Sequence, residues 1–263
     1  MKSKKRLIII SSILATILLF VILSSAIFSF KEASVEYETT TKILTEEDKE
    51  KIIKSAEFDF DRNILFINYD KNIAKIEKSM PYVKVVNIER TFPSSCIVHV
   101  TERQPAICMT SGNNTLILDK ELKVLNVVNN LSEQKTFNLQ TNEESAPTIS
   151  LSENLKLEIN RNVSAGDKVN CERLRQWIEN LYNGCTYGEY NITFLKNIDI
   201  TYKEELDCTE FIISFDSIDT VAVIRGDDNI YKNIQKVLAV IDAKGGAYRQ
   251  ITAHKNGEFT VSE

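Results

Sequence analysis

Cys96 and His99 stand three residues apart, a spacing that metal sites use. The residues around them alternate as a strand does, which turns the two side chains to opposite faces, so one ion cannot take both. Ser132-Glu133-Gln134-Lys135 has the spacing by which a lysine activates a serine nucleophile in penicillin-binding proteins. It lies in a polar stretch, and neither Lys-Thr-Gly nor Ser-Asp-Asn occurs to complete such a site. Cys171 precedes an amphipathic helix, where a thiolate is favoured, but neither histidine, His99 or His254, is near it in sequence. There is no glycine-rich phosphate loop. Four Asn-x-Ser/Thr triplets, at Asn113, Asn130, Asn162 and Asn191, read as chance occurrences in an Asn-rich chain. The side-chain chemistry points away from an enzyme and away from any cofactor or metal. A membrane-bound peptidase or transpeptidase would need a nucleophile and base that this pattern does not pair.

What must position these residues begins at the N-terminus. Residues 7–30 contain no charged side chain, and a helix of roughly 20 apolar residues crosses a bilayer core. Lys2, Lys4, Lys5 and Arg6 precede the run, so the short tail is expected inside and the remainder outside. A cleaved signal peptide is the competing reading, although its apolar core would be shorter, ~7 to 15 residues. The run ends in the small residues Ser24, Ser25 and Ala26. Of 32 basic residues four lie in the tail, leaving 28 against 37 acidic residues, or −9, outside. That balance argues against nucleic acid and against docking on anionic lipid. The five cysteines are scattered and odd in number, and read mostly as small buried apolar residues.

Periodicity then gives the elements. Alternation in Val35-Glu36-Tyr37-Glu38-Thr39 predicts a strand. Thr45, followed by Glu46, Glu47 and Asp48, caps a helix whose apolar face is Ile52, Ile53 and Ala56. A second helix starts near Asp70, carries Ile73, Ile76 and Met80 on one stripe, and stops at Pro81. Two strands follow over 82–90 and 95–102, joined at Thr91-Phe92-Pro93-Ser94. The second places Cys96, Val98 and Val100 on one face and His99 on the other. Two helices on one face of a three-stranded sheet make a sound α+β unit. Farther on, 115–119 and 123–128 read as a hairpin, and 129–148 as a polar loop. Helices are predicted over 171–183 and 228–243, the latter ended by Gly245 and Gly246, with strands over 191–202, 209–215, 220–225, 248–254 and 258–261. Asn256-Gly257 turns the last pair.

Residues 63–109 resemble the FtsQ/DivIB family of bacterial cell-division proteins. Asn63-Ile64-Leu65-Phe66 is similar to the family's Asn-Leu-Phe signal, and Met80-Pro81-Tyr82-Val83 to its Leu-Pro-x-Val stop. The stretch Val86-Asn87-Ile88-Glu89-Arg90-Thr91-Phe92-Pro93 is similar to the Val-x-Arg-x-Phe-Pro block. The stretch from Ile97 through Glu102-Arg103-Gln104-Pro105 to Ala106 is similar to its Val-x-Glu-Arg-x-Pro ending, and Leu118-Asp119 to the start of its β domain. The blocks come in the family's order. The resemblance is specific over 60–125 and only architectural over 150–263.

The resemblance implies an α+β chain: a cytoplasmic tail (1–6), a transmembrane helix (7–30), a POTRA domain of order βααββ (31–110), and a mixed β-sheet domain with helices (111–263). It implies a non-enzymatic divisome scaffold that binds FtsB/DivIC-like and FtsL-like bitopic proteins and helps control septal peptidoglycan synthesis. No small-molecule substrate is implied. Arg249, Ile251, Ala253 and Phe259, on late strands at a sheet edge, are the expected partner contacts, since an open edge accepts an added strand. Plain completion of the sheet is the other reading of these strands. Asn63, Leu65, Phe66, Pro81, Arg90, Phe92, Pro93, Glu102, Arg103 and Pro105 are the POTRA motif residues, mainly structural. Phe66 and Phe92 are expected as core anchors. Arg90, Glu102 and Arg103 are either a structural ion-pair set or a partner-facing patch at the domain junction. A POTRA-bearing part of an envelope secretion or assembly machine is the alternative function; it predicts repeated POTRA units or a β-barrel.

Overall fold

The structure, a computed structural model, describes residues 2–40, 44–111, 114–128, 147–152, 154–155, 157, 163–186, 190, 192–244 and 247–262, without the side chains of 2–10, 110 and 111. Ser132, Lys135, Gly245, Gly246, the four Asn-x-Ser/Thr asparagines and residues 129–146 lie outside that set. The chain forms two compact units, Met1–Glu102 and Arg103–Glu263.

The first unit opens with α1 (Lys2–Ile27), 26 residues long, about 39 Å at 1.5 Å per residue. Its described side chains, residues 11–27, are mostly exposed and apolar, among them Ile13, Leu14, Ile17, Leu18, Phe20 and Leu23. Among the described residues, no helix is long and apolar enough to cross a membrane. The span expected over residues 7–30 is therefore not a property the structure displays.

After α1 come β1 (Glu32–Tyr37), α2 (Glu46–Ala56), α3 (Asp70–Ser79), β2 (Val83–Thr91) and β3 (Ser95–Glu102). The order is βααββ. The central strand is β3, parallel to β1 and antiparallel to β2. Its residues alternate between half-buried and buried, so Cys96, Val98 and Val100 join Ile52, Ala56 and Ile76 of the helices in one core. A pleat with one covered face dictates that alternation. Thr45 opens α2: its amide and hydroxyl both donate to Asp48 Oδ2, each at 2.9 Å, a reciprocal cap that satisfies end groups the helix cannot. Pro81 follows the last turn of α3, where Met80 N–H still reaches Ile76 O at 2.8 Å.

The second unit is a nine-stranded mixed sheet with two helices. Its elements are β4 (Ile107–Ser111), β5 (Asn114–Leu118), β6 (Val124–Val128), β7 (Thr148–Leu151), α4 (Glu172–Thr186), β8 (Leu195–Lys203), β9 (Cys208–Phe215), β10 (Val221–Arg225), α5 (Ile230–Lys244), β11 (Gln250–Ala253) and β12 (Phe259–Ser262). The strand order is β12-β11-β10-β9-β8-β7-β4-β5-β6. Leu174, Trp177, Ile178 and Leu181 of α4 and Ile234, Val237 and Leu238 of α5 share one core with Phe211, Ile213, Ala222 and Ile251 of the sheet. Trp177 meets Phe211 edge to face at 5.2 Å.

Two sequence expectations are corrected here. The boundary at 110/111 assigned 107–110 to the POTRA domain, but β4 pairs with β5 and β7 and belongs to the second sheet. The division falls after Glu102. Thr148, expected to end a polar loop, instead starts β7, a strand of only four residues bonded in parallel to both β4 and β8.

Candidate partner-binding surface

The terminal hairpin is built from the last strands of the second unit. Ile251 and Ala253 are buried in the core they share with Ile234, Val237 and Leu238 of α5, on a strand paired in parallel to β10 and antiparallel to β12. The chain reverses over 254–258. Gly257, at φ 84, takes the left-handed conformation that a side chain resists, and its N–H reaches His254 O at 2.9 Å. His254 N–H in turn reaches Glu258 O at 2.9 Å.

That last bond fixes which way β12 presents its backbone. Register pairs Ala253 with Phe259, Thr252 with Thr260, Ile251 with Val261 and Gln250 with Ser262. In an antiparallel ladder the hydrogen-bonded positions alternate. With Glu258 turned toward β11, Thr260 and Ser262 also face inward, and the amides and carbonyls of Phe259 and Val261 face the open side. Among the described residues no further strand pairs with β12. Phe259 is half-buried, with Lys236 Nζ 5.0 Å from its ring centroid, whereas Val261 is 47% exposed. The opposite sheet edge differs. There, Val124 N–H bonds Asp167 O and Gly166 N–H bonds Val124 O, each at 2.8 Å.

The four expected contact residues are thus divided. Arg249 is exposed and holds Ser262 O through its N–H at 2.9 Å. Phe259 lies on the edge strand. Ile251 and Ala253 are core residues and cannot touch a partner while the unit is folded. Thr260 and Val261, also on the edge strand, were not among the expected contacts, although the alternation across Asn256-Gly257 placed them there.

The POTRA motif residues have structural places. Asn63 Oδ1 accepts the Leu65 N–H at 3.0 Å. Arg90 donates to Ile67 O at 2.8 Å and lies 5.1 Å over the Tyr69 ring. Buried Glu102 accepts the Leu44 N–H at 3.1 Å. Buried Arg103 pairs with Asp119 at 2.5 Å and Glu121 at 3.0 Å, so it is not a partner-facing side chain. Pro81 and Pro105 are half-buried and Pro93 is exposed. Phe66 and Phe92 are not core anchors: they are 73% and 58% exposed. In the short helical turn Ile64–Phe66, Ile64 takes the inward position, while Phe92 stands in the β2–β3 turn beyond the helices' cover.

The residues singled out for chemistry stay apart. Cys96 points into the core, where burial pushes its thiol up to about 11. His99 is on the outer face, with Glu38 at 3.1 Å and Glu89 at 3.3 Å. Among the described residues no group of three His, Cys, Asp or Glu could hold a metal. Half-buried Cys171 borders a cavity of about 390 Å³ with Lys168, Asn170, Glu172 and Arg175, and no histidine lines it.

Comparison with known proteins agrees with this architecture. Residues 42–103 match the POTRA domain, FtsQ-type. The chain is 30% identical over 105 residues to a protein of Clostridium acetobutylicum named cell division protein DivIB, across 40% of this chain and 39% of that one. It is 23% identical over 253 residues to the cell division protein DivIB of Clostridium tetani, across 96% of this chain and 83% of that one. The class is therefore an FtsQ-type POTRA domain followed by a large mixed sheet. Residues 42–103 thus match an FtsQ-type POTRA domain, and the chain as a whole is similar to proteins named cell division protein DivIB.

Proposed function

We propose that this chain is a non-enzymatic scaffold of bacterial cell division, held at the septal membrane by residues 7–30. In this reading residues 1–6 are cytoplasmic, and the POTRA domain and β domain are extracytoplasmic. The apolar side chains that α1 leaves uncovered are what a lipid-facing helix needs, and the basic tail sets the orientation.

Its work would be to gather FtsB/DivIC-like and FtsL-like ectodomains and through them to help control septal peptidoglycan synthesis. The observation that carries the reading is the β12 edge, where among the described residues no strand pairs with the backbone groups of Phe259 and Val261. A partner segment adding there gains main-chain hydrogen bonds for affinity and side-chain fit for specificity. Phe259 and Val261 share the face of Ile251 and Ala253, so an added strand would also cover Val261.

Proline tests this because it removes one N–H. Val261→Pro deletes an outward donor and spares the bonds to β11, as edge strands tolerate. Full-length protein in nanodiscs carrying Val261→Pro should keep its far-ultraviolet circular dichroism and lose partner-ectodomain binding at least about tenfold, roughly 1.4 kcal/mol. Unchanged binding would move the interface off this edge, with the POTRA domain the next surface to test.

A further inference from the structure

We propose that Phe60, Leu65, Phe66 and Phe92 form a membrane-contacting collar that seats the POTRA unit on the lipid surface. This rests on the reading of α1 as a membrane anchor.

Among the described residues, these four are the large apolar side chains that the first unit exposes outside α1, apart from Val86. Main-chain bonds tie all of them to the few residues that leave α1. Phe28 N–H still reaches Ser24 O at 2.9 Å, so the helix geometry runs up to Phe28. Ser29 bridges Asn63, and Ile64 N–H donates to Phe28 O at 2.8 Å. Leu65 and Phe66 therefore lie within three residues of a point locked to the helix exit, at most about 11 Å of chain. Lys31 N–H donates to Ser94 O at 2.7 Å, which brings the Phe92 turn to the same place. Phe92 packs edge-on against Phe28 at 6.1 Å, and Phe60 stacks on Phe30 at 5.1 Å.

A soluble surface has no reason to gather three phenylalanines and a leucine at one end. The occupant follows from continuity. The chain arrives at this end from the helix assigned to the bilayer, so the phase beside it is the lipid interface, where aromatic rings are favoured. The collar is apolar, so it needs no anionic lipid, in keeping with the acidic outer part.

Tryptophan emission reads this directly, because the natural Trp177 is buried and its signal is a constant background. Phe66→Trp, Phe92→Trp, Val86→Trp and Leu18→Trp would each be placed in the full chain in vesicles of phosphatidylethanolamine and phosphatidylglycerol, brominated near the headgroup end of the acyl chains for positions 66, 92 and 86 and near their methyl end for position 18, the middle of the span. Val86 is on the same unit but six strand positions from Phe92, about 20 Å away. Quenching at positions 66 and 92 should exceed that at 86 at least about twofold, with position 18 also quenched. Quenching at 18 with 66 and 92 no different from 86 overturns the collar and leaves the anchor standing. No quenching at 18 overturns the anchor, and the collar with it.

Discussion

Arg103 Nη1 lies 2.5 Å from Asp119 Oδ2, with both side chains almost fully buried. The other oxygen, Asp119 Oδ1, accepts the Glu121 N–H at 2.9 Å and the Lys123 N–H at 2.8 Å. One carboxylate thus closes the β5–β6 turn and, with Glu121 at 3.0 Å, neutralises a buried arginine. Removing either partner strips a buried charge of its closest counter-charge, although Glu121 stays 3.0 Å from Arg103, so the cost is at most the roughly 3–5 kcal/mol of a broken buried pair. Arg103→Ala and Asp119→Ala should each lower unfolding stability by up to that amount, and the double variant by clearly less than the sum. Urea titration followed by Trp177 emission reads the unit that holds both residues. Strict additivity would mean that the pair is not coupled.

The α4–α5 crossing depends on Gly184. A Cβ there would sit 1.8 Å from Ile234 Cγ2 and 3.1 Å from Tyr231 O. Ile234 is fully buried and β-branched, so it cannot swing away. Gly184→Ala should destabilise by about 1–3 kcal/mol despite the better helix propensity of alanine. Adding Ile234→Ala should recover part of the loss. A Gly184→Ala protein as stable as the parent would contradict the observed approach of the helices.

Thiol chemistry should follow burial. Desolvation pushes Cys185 up to about 12 and Cys96 up to about 11. Cys108 and Cys208 are also buried, and only Cys171 is half-exposed. At pH 8 a thiol reagent should modify Cys171 first and the other four only after unfolding. The same shifts give a sign to alkaline stability. An unfolded thiol ionises near 9 while the folded one keeps its proton. The contribution is therefore whole below pH 9 and is lost as pH climbs toward 11 for Cys96 and 12 for Cys185. Cys185→Ala should flatten the fall of stability between those limits.

Thr260→Pro and Val261→Pro should behave oppositely. The Thr260 amide is directed at Thr252 of β11, so proline there breaks the ladder and should lower the melting temperature. The Val261 amide is directed outward, so proline there should leave the melting temperature nearly unchanged. Equal loss in both variants would mean that the inward and outward positions of β12 are not those assigned.

Much of the fold was legible because its elements have strong local periods. The alternation of β3 and the stripes of α2 to α5 each have one buried face, and the βααββ order followed from them. What escaped was set by distance along the chain. β7 is four residues whose two neighbours lie far off in sequence. Phe66 and Phe92 read as core because they are large and apolar, but exposure depends on which element covers them. Arg103 meets Asp119 across 16 positions, so no local pattern could separate a structural pair from a docking patch. For the terminal hairpin, sequence located the edge but not its polarity. Ile251 and Ala253 look as available as Phe259 until α5 is seen packed into the same core.

The central claim is strand addition at β12, and amide hydrogen exchange resolved by residue tests it most directly. In the free protein the Thr260 and Ser262 amides should already be protected by β11, while those of Phe259 and Val261 exchange quickly. Adding the FtsB/DivIC-like and FtsL-like ectodomains should slow Phe259 and Val261 by at least about tenfold, the mark of newly formed ladder bonds. If those two amides stay fast while protection appears in the POTRA strands or elsewhere, the partner does not extend this sheet, and the proposed mechanism is wrong.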